Sequence, residues 1–122
     1  IKNKIKNKSH LKNITDNTIE YIDTKAILTK NKLVYTTDNT KHTLYLKNNQ
    51  IILQRENETF KNILTFIQNR SILSEYIIKK DDLCLNFEIK TNKLTQTDKE
   101  IYIQYEIVDS KTIYEYNLLL EE

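Results

Sequence analysis

Two stretches in the second half of the chain alternate regularly between apolar and polar side chains. The first spans residues 83–91 and the second spans residues 101–107, with a polar segment at 97–100 between them. Successive side chains of a β-strand point to opposite faces, so this period predicts strands with one buried face and one wet face. Two such strands joined by a short polar link predict an antiparallel hairpin.

The same period recurs through most of the remaining chain. Further strands are predicted in segments rich in β-branched and aromatic residues, at 18–28, 33–37, 42–46, 50–55 and 113–120. In the first of these segments the parity of the apolar positions changes near Thr24, which predicts a bulge or a bend.

Residues 57–78 fit two kinds of secondary structure. Phe60, Ile63 and Ile67 repeat at helical spacing, whereas Phe60 and Phe66 share one face of a strand. The spacing alone slightly favours a helix in the first half of this segment and leaves the second half open between helix and strand.

The chain contains neither glycine nor proline, so its tight turns depend on asparagine and aspartate. These two residue types tolerate the positive φ that hairpin turns require. Pairs with this turn chemistry occur at seven places: 16–17, 30–31, 38–39, 48–49, 69–70, 81–82 and 98–99. Turns at such short spacing predict a meander of short strands, which is typical of a β-sandwich or a β-barrel.

Composition limits the class of protein. A chain of 122 residues without an evident linker or repeat predicts one domain over residues 1–122. No run approaches the ~20 apolar residues of a membrane helix, and a net charge of +2 is too small for a general nucleic-acid-binding surface. Because Cys84 is the only cysteine, we expect no intramolecular disulfide and a reducing, cytoplasmic location. The predominance of Ile, Lys and Asn indicates an AT-rich genome.

Few residues could support catalysis. His10 and His42 are the only histidines, and both lie in mostly polar strand segments, where we expect them on wet faces. A reactive Cys84 thiolate would need a cationic neighbour or a helix N-terminus. A phosphate-binding loop would need glycine, and no cluster of metal-ligating residues is visible. We therefore expect a protein that is not an enzyme and that uses neither a metal nor a cofactor.

The N-terminal strand carries a row of cations. Lys2, Lys4, Lys6 and Lys8 share one parity, and the apolar residues of the segment occupy the other. Lysines at this spacing could contact phosphates, which predicts an RNA- or ribosome-associated protein. The alternative is a solvated strand whose lysines discourage edge-to-edge aggregation. The segment has no aromatic residue on which bases could stack, and this favours the alternative.

From Ile19 onwards, the order of these segments resembles the YwiB-like family, an uncharacterised bacterial group. The resemblance is carried by the order and spacing of short segments at 33–35, 50–55, 64–66, 75–76, 83–91 and 101–107, the last of which includes Tyr105. The chain departs from the family pattern near Lys25, Asn57 and Asp82, where the family tends to have glycine. It also departs at 36–37, where the family has acidic residues and this chain has threonines.

This resemblance implies an all-β fold, an antiparallel meander that closes into a calycin-like, lipocalin-type barrel of about eight to ten strands. It also implies that residues 59–66 form a strand rather than a helix. The resemblance brings no activity with it, because the function of the family is not established.

Small barrels hold either packed side chains or one ligand. Four side chains share the parity of apolar neighbours and are expected to point inward: Tyr35, Arg55, Tyr76 and Tyr105. They predict a site at the barrel mouth that binds a small anionic ligand or a protein partner. The alternative is an Arg55 that pairs with a carboxylate such as Glu75 or with carbonyl groups. Large inward Ile, Leu and Phe side chains predict that much of the interior is filled.

Overall fold

Ten β-strands make up the structure, a computed structural model that describes residues 3–122. The strands are β1 (Asn3–Asn13), β2 (Thr18–Leu28), β3 (Lys32–Thr37), β4 (Thr40–Lys47), β5 (Gln50–Glu56), β6 (Phe60–Ile67), β7 (Ser71–Ile78), β8 (Leu83–Gln96), β9 (Glu100–Ile107) and β10 (Thr112–Glu121). Each strand pairs antiparallel with the next, and β1 also pairs with β10, so the sheet closes into a barrel. The predicted all-β meander and its closure are therefore confirmed.

The hairpin of β8 and β9 forms as predicted, with its turn at the polar segment. One shift in register, between Thr91 and Lys93, interrupts its ladder. The predicted burial of the first two apolar residues of β8 is wrong, because Leu83 and Leu85 are 45% and 48% exposed. This part of β8 pairs only with β7, since the ladder with β9 begins at Ile89. The first residues of β8 therefore extend beyond the end of β9, and their inward-facing side chains are exposed to solvent.

Residues 60–67 form the strand β6, so the helix that their spacing slightly favours is wrong and the strand implied by the family resemblance is correct. The ladder between β6 and β5 runs along almost the whole of both strands. It turns alternate side chains inward and buries Asn62, Leu64 and Phe66. The continuous ladder with β5 supplies hydrogen-bond partners for the backbone of β6, and β7 adds partners for residues 60–63, so tertiary pairing decides between the two patterns. The following segment is also a strand, β7.

The predicted bulge in β2 is absent. The pairing of β2 with β1 is continuous from Leu28 to Thr18, and the even-numbered side chains of β2 face inward throughout. The apolar side chains of the other parity face outward, and Tyr21 is 77% exposed. The apolar parity changes near Thr24 because some apolar residues of β2 lie on the outer surface. The backbone of the strand stays regular.

All seven predicted turns connect strands. Positive φ angles between 45° and 66° occur in five of these turns, at Asn17, Asp38, Asn39, Asn49, Asn69 and Asp82. Lys111 has a φ of 56° in a turn that lacks the predicted signal. Another turn without that signal is shaped by Asn57, whose Oδ1 accepts hydrogen bonds from the N–H groups of Thr59 and Phe60 at 2.8 and 3.1 Å. Asparagine and aspartate thus supply the turn geometry that glycine often provides.

Two different sets of side chains fill the barrel. The end that holds Asn3 and Glu122, which we call the apolar end, is packed with aliphatic residues and one phenylalanine. Its fully buried side chains are Leu33, Leu44, Ile51, Leu53, Phe66, Ile89, Ile101, Ile103 and Leu118. The opposite half contains a cluster that we call the polar chamber, defined by Tyr35, His42, Arg55, Tyr105 and Tyr116. The prediction of a filled interior is therefore confirmed for the apolar end.

Candidate functional site

Five successive strands, β3 to β7, each place one inward side chain in a common row. The register pairs Tyr35 with His42 and His42 with Arg55. It continues by pairing Arg55 with Asn62 and Asn62 with Tyr76. Strand pairing alone therefore brings three of the four predicted ligand-binding residues onto one level of the inner wall.

The fourth predicted residue, Tyr105, reaches the chamber from β9, and Tyr116 joins it from β10. These two tyrosines are only 5% and 1% exposed. The guanidinium carbon of Arg55 lies 6.0 Å from the ring centroid of Tyr116, which is a cation–π distance. Burial raises the pKa of Tyr35, Tyr105 and Tyr116, and the positive charge of Arg55 opposes that rise in all three. Arg55 therefore acts electrostatically on every tyrosine of the chamber.

Arg55 has no carboxylate partner within residues 3–122. The salt bridges in this part of the chain do not include its guanidinium, and its Nε is buried without a hydrogen-bond acceptor. The pairing with Glu75 does not form, because Glu75 is exposed on the outer face of β7. The backbone carbonyl of Glu75 accepts a hydrogen bond from Asn62 Nδ2 at 2.9 Å instead. Among the described residues, the barrel wall thus holds a cation without a counter-ion.

The hydroxyl groups of Tyr35 and Tyr116 form a hydrogen bond with each other. One hydroxyl donates and the other accepts, so one hydroxyl proton stays available for a further acceptor. Burial raises the pKa of both phenols, which keeps them protonated at neutral pH. The pair can therefore donate a hydrogen bond to an anion that approaches Arg55.

His42 lies inside the barrel, so the predicted wet face is wrong for this residue. It is 8% exposed, and its ring stacks on that of Tyr35 with centroids 4.5 Å apart and planes 6° apart. Its Nε2 shares a 2.7 Å hydrogen bond with Thr37 Oγ1, whereas its Nδ1 is buried without a partner among the described residues. Burial, together with the nearby charge of Arg55, lowers the pKa of His42 to about 4, so the imidazole is neutral at pH 7.

Sequence reasoning missed His42 and Tyr116 as members of the site. The alternation of side chains could have identified both as inward-facing, because His42 lies two positions before Leu44 and Tyr116 lies two positions before Leu118. The polar neighbours of His42 obscure this signal. The role of Tyr116 depends on a hydrogen bond to Tyr35, 81 residues earlier in the chain, which no local pattern predicts.

Tyr76 lies at the same level of the barrel but in a separate aromatic pair. Its ring stacks on Phe60 with centroids 5.3 Å apart and planes 9° apart. In the row, Asn62 stands between Tyr76 and Arg55. The structure therefore brings Tyr35, Arg55 and Tyr105 into one cluster and places Tyr76 beside it.

Five buried polar atoms on the inner face have no hydrogen-bond partner among the described residues. They are Asn7 Oδ1, Ser9 Oγ, His42 Nδ1, Arg55 Nε and Ser74 Oγ. Their residues share the inward parity of β1, β4, β5 and β7. A buried polar atom without a partner costs about 1–3 kcal/mol, and water or a ligand can remove that cost. The interior therefore has unused capacity for hydrogen bonding, and two of the five atoms, His42 Nδ1 and Arg55 Nε, belong to the polar chamber.

A pocket of about 250 Å³ connects the chamber with solvent, and Tyr35, His42, Arg55 and Tyr116 line it. A larger concavity of about 660 Å³ lies among the turns at the apolar end. None of the five unpartnered atoms belongs to a residue that lines this second concavity. The smaller pocket is therefore the better candidate for a specific binding site.

The predicted lysine row lies on the outer face of β1. Lys4, Lys6 and Lys8 are exposed on one face, while Lys2 lies outside the described residues. Carboxylates of neighbouring strands stand beside this row, because Asp23 pairs with Lys8 across the β1–β2 ladder. On the other side, Lys8 Nζ lies 4.0 Å from Glu121 Oε2. The row is therefore less positive than the N-terminal sequence suggests.

The other residues considered for chemistry lie apart from the chamber. His10 is on the outer strand face, as predicted, with its Nε2 3.6 Å from Glu115 Oε1. Cys84 is exposed on the outer face of β8, and its Sγ lies 3.9 Å from Asn86 Oδ1. Within residues 3–122, His, Cys, Asp and Glu side chains form no group of three or more that could hold a metal ion. Nor do these residues form a helix that is long and apolar enough to cross a membrane.

The fold is similar to that of a solved structure, the ywiB protein from Bacillus subtilis. The TM-score is 0.70 at 14% sequence identity, and the match covers 97% of this chain and 89% of that chain. The predicted YwiB-like fold is therefore confirmed, and at this level of identity the likeness concerns the fold alone. No family model and no curated protein matches the chain.

Proposed function

We propose that the protein is a non-enzymatic binding protein that holds a small anionic ligand in the polar chamber, with Arg55 as the main electrostatic contact. The observation that carries this proposal is the guanidinium without a carboxylate partner in residues 3–122, which has a buried Nε without an acceptor and faces the ring of Tyr116. A partly buried cation without a salt-bridge partner loses part of its hydration, and a bound anion compensates for that loss. A bound anion would therefore supply the counter-ion that the described part of the chain does not provide for Arg55.

The chemistry of the chamber supports a ligand with a carboxylate or phosphate group. A guanidinium presents a planar fork of N–H donors that matches the oxygens of both groups. The hydroxyl pair of Tyr35 and Tyr116 can donate one more hydrogen bond. A pocket of about 250 Å³ lies below the range of roughly 300–1,000 Å³ typical of sites for drug-sized molecules. The ligand is therefore a small metabolite-sized anion.

The titratable groups of the chamber support binding rather than catalysis. A general acid or base is most effective when its pKa lies near the working pH. Burial and the charge of Arg55 hold the pKa of His42 at about 4, and burial raises the pKa of Tyr35 and Tyr105. Each of these groups keeps one protonation state around neutral pH, which suits a static binding site.

RNA association through the N-terminal lysines is the weaker proposal. It has the outward row of Lys4, Lys6 and Lys8 in its favour, but Glu121 and Asp23 stand beside that row. Mixed charge reduces the number of phosphates that the strand can neutralise. If RNA co-purified with the wild type and was lost when these lysines were changed to serine, RNA association would become the preferred function.

A cytoplasmic location belongs to the same proposal. Cys84 is a free cysteine and is exposed on the outer face of β8. An exposed lone thiol in an oxidising compartment tends to form intermolecular disulfides. A reducing compartment keeps such a thiol free, and this supports the cytoplasm.

Native mass spectrometry of the protein purified from its own source tests the proposal. We expect a native mass that exceeds the denatured mass by one small molecule in the wild type. Arg55→Leu should lose this adduct, because it removes the cation. Arg70→Leu is the matched control and should keep it, because Arg70 is exposed in the β6–β7 turn.

Stability measurements complete the test. Because Arg55 has no carboxylate partner within residues 3–122, we expect Arg55→Leu to change the free energy of unfolding of the ligand-free protein by no more than about 1 kcal/mol. A loss of ~3 kcal/mol or more would indicate a buried ion pair and would contradict the proposal. An adduct that persists in Arg55→Leu would also contradict it. So would a wild type that carries no adduct and gives no saturable response to inorganic phosphate or short carboxylates.

A further inference from the structure

The pocket that contains Arg55 is also lined by two carboxylates, those of Glu20 and Asp38. Glu20 projects from β2 on the inward parity, and Asp38 lies in the β3–β4 turn with a φ of 45°. Both residues are exposed, whereas Arg55 is partly buried and Tyr35 and Tyr116 of the same pocket are buried. Negative charge therefore lies toward the mouth of the pocket, and positive charge lies deeper.

Neither carboxylate has a cationic partner in the part of the chain that the structure describes, because none of the salt bridges there includes Glu20 or Asp38. The charge of Glu20 is nevertheless felt inside the pocket, since it adds to the rise in the pKa of Tyr35, to which burial is the largest contributor. A second, independent feature points to a ligand in the same place. His42, which is 8% exposed, lines the pocket with a buried Nδ1 that has no partner among residues 3–122.

We propose that the ligand is a small zwitterion, with its anionic group at Arg55 and an ammonium group toward Glu20 and Asp38. This inference rests on the proposed function, because it concerns the ligand of the same chamber. A simple anion would approach Arg55 past two uncompensated carboxylates, which repel it. An ammonium group at the other end of the ligand converts that repulsion into attraction.

The remaining walls of the pocket suit the part of such a molecule that joins its two charged groups. Leu11, Ile22 and Phe60 line the pocket together with the charged residues. Leu11 and Ile22 are among the partly buried hydrophobic residues that pack against the core. Short methylene chains bury apolar surface against such side chains. The class of ligand that fits is therefore an ω-amino acid or a similarly short aminoalkyl anion.

Titration with three probes of equal chain length tests this inference. The probes are pentanoate, 5-aminopentanoate and pentylamine, followed by NMR of the intact chain, with the four- and six-carbon amino acids added to cover the unknown spacing of the charged groups. We expect the best amino acid to bind about tenfold more tightly than the carboxylate of the same length, and the amine to bind more weakly than both.

Variants of the pocket mouth separate the two proposals. The double variant Glu20→Gln, Asp38→Asn should lose the tenfold preference while pentanoate binds as well as before or better. Asparagine tolerates positive φ as aspartate does, so the β3–β4 turn should persist in this variant. Glu75→Gln, on the outer face, is the matched control and should leave the preference unchanged.

The outcomes are distinguishable. If pentanoate binds as tightly as every amino acid and both require Arg55, the zwitterion is wrong and the anion site stands. A preference that survives the double variant also overturns the zwitterion. If none of the probes binds in a manner that depends on Arg55, the inference is overturned, and the anion site loses its support along with it.

Discussion

The two ends of the barrel interior are built from the same strands but differ in chemistry. β10 contributes Leu118 to the apolar end and Tyr116 to the polar chamber, only two positions apart. β5 contributes Leu53 to the first and Arg55 to the second. Leu118 and Leu53 are fully buried, whereas Arg55 is only partly buried. The change from one environment to the other occurs within a single period of the strand.

This difference indicates that one end of the barrel stabilises the fold and the other end serves binding. Burial of aliphatic side chains at the apolar end contributes stability in proportion to the apolar area removed from water. The chamber instead contains two buried polar atoms without partners among the described residues, His42 Nδ1 and Arg55 Nε, each of which lowers stability unless something binds there. We therefore expect mutations at the apolar end to affect folding, and mutations in the chamber to affect binding more than folding.

The largest expected effect is at the apolar end. Leu118→Ala should lower the free energy of unfolding by about 3 kcal/mol, because it opens a cavity among fully buried side chains. Urea denaturation followed by circular dichroism measures this loss. Leu119→Ala is the matched control, since Leu119 is 40% exposed, and it should cost less than about 1 kcal/mol. Equal losses in the two variants would show that the apolar end is not the stabilising core.

The next effect is a pH dependence that arises in the chamber. The pKa of His42 is lowered to about 4 in the folded protein, so only the unfolded chain gains this proton between about pH 6.5 and pH 4. Stability from this group is therefore complete above about pH 6.5 and is lost as the pH falls, by about 2 kcal/mol between pH 7 and pH 5.

Urea denaturation at several pH values, compared between the wild type and His42→Gln, isolates this contribution. The variant also loses the stacking on Tyr35, which changes its absolute stability, so the measured quantity is the slope against pH. We expect the variant to lose the part of the slope that His42 contributes, about 2 kcal/mol between pH 7 and pH 5. An identical slope in both proteins would mean that His42 is not held neutral by its surroundings.

The smallest expected effect concerns a single unpartnered hydroxyl. Ser74 is 1% exposed, and its Oγ has no hydrogen-bond partner within residues 3–122. Ser74→Ala should therefore leave the free energy of unfolding unchanged or raise it by up to about 1 kcal/mol. Ser71→Ala, at an exposed position of the same strand, should stay within about 0.5 kcal/mol of the wild type. A clear loss confined to Ser74→Ala would show that its hydroxyl is satisfied in the folded protein.

Outside residues 57–78, local patterns were sufficient for the strands and for the direction of most side chains. The period of two placed Arg55 on the same face as Ile51 and Leu53, and the structure confirms that face. Pairs that contain asparagine or aspartate located seven of the turns, and in five of these turns an asparagine or aspartate adopts positive φ, which these residue types tolerate. Both kinds of signal act between residues close in sequence, where covalent geometry dictates the outcome.

The same patterns failed where a distant strand decides the environment. The spacing in residues 60–67 allows a helix, but pairing with β5 produces a strand. Leu83 and Leu85 alternate correctly but are exposed, because β9 does not reach them. The pattern of β2 predicted a bulge, but continuous pairing with β1 keeps the strand regular. In each case the partner strand supplied information that the segment itself lacks.

Alternation and turn chemistry were thus enough to define a meander of antiparallel strands and to assign side chains to common faces. Pairing between distant strands was needed to close β1 on β10 and to bring Tyr116 to Tyr35 beside Arg55. It also left Glu75 outside the barrel, so the described residues give the guanidinium no counter-ion. The physical reason is that alternation specifies direction within one strand, whereas contacts across the barrel depend on the register of strands far apart in sequence.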